Sequence, residues 1–104
     1  MNLVALIGNA CAEPEIRYTA SGKAVCHFRI AVSRSGGDSA DYFDIVTWER
    51  QAEVCKEYIQ VGRRVSVEGR LHSTHWENAA GNQTSAVEII ASRVSLLGKV
   101  ESDV

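Results

Sequence analysis

At 104 residues the chain has room for one domain around a single core, which excludes a second domain. Hydrophobic residues at 45% and charged residues at 23% are ordinary for a soluble globular protein, and no low-complexity run argues for disorder. A formal charge of -2 excludes a grip on a polyanion that comes from overall balance, so any such grip has to come from a local patch.

The opening run MNLVALIGNAC has no basic leader and is broken by Gly8 and Asn9, so it reads as a first strand and not as a signal peptide. Its apolar density suits a strand buried on both faces along part of its length, stopping near Gly8 to Glu13. Pro14 restarts the chain, the short extended piece EIRYT follows, and ASGK supplies a turn around Gly22. In AVCHFRIAVSR, Cys26, Phe28, Ile30 and Val32 share one face while His27, Arg29 and Ala31 share the other, the alternation of a second strand. SRSGGDSAD is the most flexible-looking stretch and reads as a hairpin connection.

A third strand, Tyr42 to Trp48, leads into the one convincing helix. There Ala52, Cys55, Tyr58 and Ile59 recur at helical spacing while Gln51, Glu53, Lys56, Glu57 and Gln60 face outward, and Gly62 ends it. In the fourth strand, RRVSVEGRLHSTHWE, the residues Val65, Val67, Gly69 and Leu71 point inward. Arg64, Ser66, Glu68, Arg70, His72, Thr74 and Trp76 point outward, so a polar, partly basic face ends in a tryptophan. After the loop ENAAGNQ, TSAVEIIASRVSLLG forms a fifth strand whose apolar positions change parity near Ile89 and Ile90, the sign of a bulge.

Three strands, a helix and two strands close most economically as an all-β, five-stranded Greek-key barrel of the oligonucleotide/oligosaccharide-binding (OB) type, with the helix between strands 3 and 4. The barrel is expected over residues 1–98, with 99–104 as a short flexible C-terminus. Phe28, Ile30, Val65, Val67, Leu71 and Ile89 are assigned to its core. Cys11, Cys26 and Cys55 lack zinc-type spacing and read as reduced core thiols of a cytosolic protein. His72 and His75 fall on opposite strand faces, and no carboxylate or thiolate with ligand spacing completes a metal site. No glycine-rich phosphate loop opens the helix, so neither catalysis nor a cofactor is expected. No window approaches the roughly 18 to 20 apolar residues of a membrane span.

Three ordered blocks make the pattern more specific: PEIRYTASG, WERQAE and VSVEGRL. With them the chain resembles the bacterial and organellar single-stranded DNA-binding protein family over nearly its whole length. The resemblance implies an OB fold that holds single-stranded DNA with little sequence preference during replication, recombination and repair. It also implies assembly as a homotetramer, with a dimer as the alternative, and a place in the cytoplasm at the nucleoid or in an organellar matrix. Trp76, Trp48 and Tyr42 match positions of family DNA-stacking aromatics. Such a protein can use only what all nucleotides share, a phosphate and an aromatic base face. Arg34, Arg50, Arg70 and Lys56 are therefore expected to meet phosphates, and His72 and Thr74 to add hydrogen bonds from the face that carries Arg70 and Trp76. Arg63 and Arg64 read as a solvated pair, and Arg17 as structural.

The sequence departs from the family pattern in three respects. RSGGDSAD has no aromatic, so one stacking platform is missing from that loop. Leu3, Gln60 and Val61 stand where basic residues are common, and Asp44 lies on the proposed binding strand, which together imply a shallower salt dependence. The sequence stops at LLGKVESDV, without the long tail and acidic tip through which the family recruits replication and repair proteins. The rival reading is an adaptor resembling primosomal replication protein N, similar in fold and length, tailless and dimeric. Trp48, Trp76 and PEIRYT favour the DNA binder.

Overall fold

In the computed structural model, which describes residues 1–35 and 39–98, the alternating stretches become six strands and one helix. They are β1 (Val4–Ala10), β2 (Glu15–Tyr18), β3 (Ala24–Ser33), β4 (Ala40–Trp48), α1 (Glu49–Tyr58), β5 (Arg64–Glu77) and β6 (Gln83–Leu96). The sheet runs in the order β1-β5-β6-β4-β3-β2 and closes on itself where β1 also meets β3. This is the expected OB barrel with the short EIRY piece added as an edge strand, so the helix now falls between β4 and β5.

Closure depends on β1 serving two neighbours. Val4 to Asn9 pair with Gly69 to Arg64 of β5, and Asn9 and Ala10 then pair with Ala31 and Ile30 of β3. Gly8 sits where the chains approach most closely, and a Cβ there would lie 2.5 Å from the Ala31 carbonyl oxygen. Before β1, the Asn2 side chain continues the pairing. Its Nδ2 donates to the Leu71 carbonyl at 2.8 Å, and its Oδ1 accepts from the Leu71 N–H at 2.8 Å.

The interior is filled by Cys26, Phe28 and Ile30 of β3, Ile45 of β4, Val65 and Val67 of β5, and Ile89 and Ala91 of β6. Helix α1 covers one end of this barrel with Ala52, Cys55 and Ile59, the last capping the helix C-terminus. Burial pushes the Cys55 thiol up to about 11, and raises that of Cys26 as well, so both are protonated packing groups. The Thr47 hydroxyl is fully buried without a hydrogen bond, and the Cys26 and Cys55 thiols are its polar neighbours.

Several expectations change in three dimensions. Strand β1 is buried on one side only, with Ala5 and Ile7 exposed, because the sheet curls and leaves its outer face uncovered. Cys11 is exposed beyond the end of β1, unlike the other two thiols. Leu71 points to the inner side but is 46% exposed, because the β5–β6 hairpin runs past the mouth of the barrel there. Tyr58 is exposed and its neighbour Ile59 takes the core position. The helix stops at Tyr58, and Gly62, at φ 93, instead turns the following loop so that its N–H reaches the Ala10 carbonyl at 2.7 Å.

The bulge exists but sits later than the parity change suggested. Glu68 pairs with Arg93 and Gly69 with Ala91, which leaves Ser92 as the extra residue, its hydroxyl donating to the Glu68 carbonyl at 3.1 Å. Gly69 is required opposite it, since a Cβ there would collide with the Ile90 carbonyl oxygen. Gln51, expected to face solvent, instead reaches this irregularity from α1. Its Nε2 donates to the Ala91 carbonyl at 3.3 Å and its Oε1 accepts from the Val94 N–H at 2.9 Å. The expected flexible C-terminus, 99–104, and the centre of the β3–β4 connection, 36–38, lie outside the described residues.

Candidate nucleic-acid interface

The outer face of the sheet is assembled from alternate residues of four strands. His27 pairs with Val46, Val46 with Ile90 and Ile90 with Arg70, so these four form one row across β3, β4, β6 and β5. Since side chains of directly paired residues share a face, the even-numbered residues of β4 and β5 all belong to this surface. It therefore carries Tyr42, Asp44 and Trp48 from β4, and Arg70, His72, Thr74 and Trp76 from β5.

The three rings are open to solvent, at 62% for Tyr42, 41% for Trp48 and 47% for Trp76. Large aromatics are normally withdrawn from water, so three part-exposed rings on one face form a platform open to solvent among the described residues. Tyr42 and Trp48 are six residues apart on β4, a separation of roughly 20 Å along the strand at 3.4 Å per residue. Trp76 stands far along the projecting hairpin, opposite Thr84, close to the loop in which Asn78 closes the turn through Gly81.

One step along from the His27–Arg70 row, charges alternate. The Arg29 Nε donates to Asp44 Oδ1 at 2.9 Å, and His72 Nδ1 lies 3.2 Å from Glu88 Oε1. Asp44 holds the Arg29 guanidinium above its ordinary range by hydrogen bond and charge. Arg34 is bound in the same way, with Asp41 Oδ1 2.7 Å from its Nη2 and 2.9 Å from its Nε. Arg70 is exposed and makes no ion pair among the described residues. Thr74 is half-buried and directs its hydroxyl to the Ala86 carbonyl at 3.4 Å.

Not every expected residue joins this surface. Lys56 spends its ammonium on the Pro14 carbonyl at 2.9 Å, tying α1 to the β1–β2 link, because the helix turns that position toward the edge strand. Arg50, on the first turn of α1, borders a separate polar hollow with Lys23, Glu49 and Glu53. Glu88 and Arg29 were not singled out from sequence, and both stand in the charged row of the sheet face. Their only signal was strand parity, which says nothing about the strand beside them. Among the described residues no group of three or more His, Cys, Asp or Glu side chains is placed to hold a metal ion. No helix among them is long and apolar enough to cross a membrane.

With this barrel and its aromatic face defined, the profile of the single-strand binding protein family is found to match residues 1–97. The chain belongs to this family. It is 42% identical over 106 residues to the single-stranded DNA-binding protein of Treponema pallidum, covering 96% of this chain and 60% of that protein. It is 38% identical over 102 residues to single-stranded DNA-binding protein A of Bacillus subtilis, covering 93% and 59%. Against single-stranded DNA-binding protein 1 of Chlorobaculum tepidum the identity is 36% over 110 residues, covering 98% and 68%. The chain thus spans about three fifths of the T. pallidum and B. subtilis relatives.

Proposed function

We propose that this protein binds and protects single-stranded DNA with little sequence preference, as a binder and not a catalyst, in replication, recombination and repair. The observation that carries the reading is the row of solvent-exposed rings, Tyr42, Trp48 and Trp76, on the sheet face that also presents Arg70. Every base has an aromatic face, so stacking binds without reading sequence. It contributes about 1 to 3 kcal/mol per base, a range drawn from single-strand binding folds themselves. Arg70 supplies a phosphate contact on the face and Arg34 one at its margin, and His72 and Thr74 supply hydrogen bonds. Residues 1–98 constitute the binding domain. The names of the relatives support the DNA reading over the adaptor reading. The same kinship supports assembly as a homotetramer or dimer and a place at the bacterial nucleoid.

The test is a titration of intrinsic tryptophan fluorescence with poly(dT) at several salt concentrations, for the wild type and for Trp76→Ala. Quenching that weakens with salt, and an affinity about tenfold or more lower in the variant, are expected. Absence of quenching in the wild type, with no shift of the DNA on a gel, sinks the proposal.

A further inference from the structure

Arg17, which reads from the sequence as structural, makes no ion pair and no side-chain hydrogen bond among the described residues. An arginine that holds a fold together is tied to a carboxylate or a carbonyl, as Arg29, Arg34 and Arg63 are. Arg17 is instead exposed on β2, and strand pairing fixes the face it stands on. It pairs with Val25 of β3, which pairs with Trp48 of β4, so Arg17, Val25 and Trp48 form one row. The indole therefore has an untied guanidinium on its own face, two strand spacings away, roughly 10 Å at 4.8 Å each. Val25 between them is 7% exposed, which leaves little of the row open to water.

Charge along this edge narrows the choice of position. Past the β2–β3 turn, the hollow that holds Lys23 and Arg50 sets Glu49 and Glu53 against them, and those carboxylates repel a phosphate. Glu15, two positions back from Arg17, pairs across to His27 in the neighbouring row and makes no ion pair with Arg17. On the other side of Trp48, Arg70 stands on β5, two strands from β4. A base stacked on Trp48 thus has an untied arginine on each side, and a backbone that crosses the strands passes from one to the other.

We infer that Arg17 is a phosphate contact for the nucleotide stacked on Trp48, and that the bound strand crosses the sheet from β5 to the β2 edge. The inference rests on the single-strand reading above, and the experiment separates the two.

The measurement is the dissociation constant of a fluorescently labelled dT oligomer, read by anisotropy over a series of salt concentrations, for the wild type, Arg17→Gln and Arg17→Lys. Thermal unfolding of each protein is measured alongside. One phosphate contact of a single strand contributes about 0.7 to the slope of log Kd against log salt. Arg17→Gln is expected to lower the slope by that amount and to keep the thermal midpoint, while Arg17→Lys, which keeps the charge, keeps the slope. Two residues that hold one nucleotide are coupled, so the loss of affinity from Arg17→Gln is expected to shrink in a Trp48→Ala background. Equal losses in the two backgrounds overturn the pairing with Trp48. A wild-type slope in Arg17→Gln overturns the inference and leaves single-strand binding intact, and a lowered midpoint then assigns the arginine to the fold. No binding of the oligomer by the wild type overturns both.

Discussion

Trp48 closes β4 in extended conformation, at φ -124 and ψ 149, and the next residue, Glu49, starts the helix at φ 57. Among the described residues it is the one non-glycine position with positive φ, a region where a Cβ costs roughly 1 to 2 kcal/mol. No side chain caps the helix at Trp48, so this abrupt turn alone takes the chain from strand to helix and leaves the indole on the open face. Replacing Glu49 with glycine removes the Cβ conflict, and at the first helical residue the usual penalty for glycine inside a helix is reduced. Glu49→Gly is expected to raise stability by about 1 kcal/mol, seen as a higher urea midpoint at unchanged slope. An unchanged or lowered midpoint would show that the turn is not strained. Nothing in the sequence marks this residue, because a glutamate opening a helix is what the helix dipole favours.

At the scale of elements, the helix is fastened to the barrel through a polar side chain as well as through Ala52, Cys55 and Ile59. A bulge leaves backbone groups without ladder partners, and Gln51 supplies both a donor and an acceptor to β6 on either side of Ser92. Gln51→Leu keeps the size of the side chain and removes both bonds, leaving the Ala91 carbonyl and the Val94 N–H unpaired under the helix. A loss of about 2 kcal/mol is expected in chemical denaturation, with Gln51→Glu restoring the bond from Val94 alone and an intermediate value. Equal stability of Gln51→Leu and the wild type would mean that water or local adjustment replaces the glutamine. Helical spacing placed Gln51 on the outward face. The prediction failed because the bulge brings β6 under the rim of the helix, a contact forty residues away in sequence.

For the whole molecule, the charge of -2 and the placement of the cations point the same way. Arg29 lies on the proposed interface but is already bound to Asp44, Arg34 is held by Asp41, whose odd position on β4 has the opposite parity, and Lys56 is engaged elsewhere. Phosphates meeting such arginines have to displace Asp44 or Asp41, so fewer counterions are released per strand bound. Asp41→Asn frees Arg34 and is expected to steepen the log Kd against log salt slope for poly(dT) by about 0.7, the increment for one further phosphate of a single strand. An unchanged slope would remove Arg34 from the set of phosphate contacts.

Alternation in AVCHFRIAVSR and RRVSVEGRL, and spacing in the helix, determined which residues are strand, which are helix and which parity turns inward, because these depend on neighbours within a few residues. That was enough to place Phe28, Ile30, Val65, Val67 and Ile89 in the core, and to set Trp76, Thr74, His72 and Arg70 on one face. It could not decide that Leu71 lies beyond the mouth of the barrel, or that Ile59 and not Tyr58 fills the core. Nor could it show that Asp44 of β4 and Glu88 of β6 border one hollow. Those outcomes depend on barrel closure, on the Ser92 bulge and on a parallel pairing of strands far apart in the chain. Strand parity tells a side chain which way to point, and only the closed sheet decides what stands next to it.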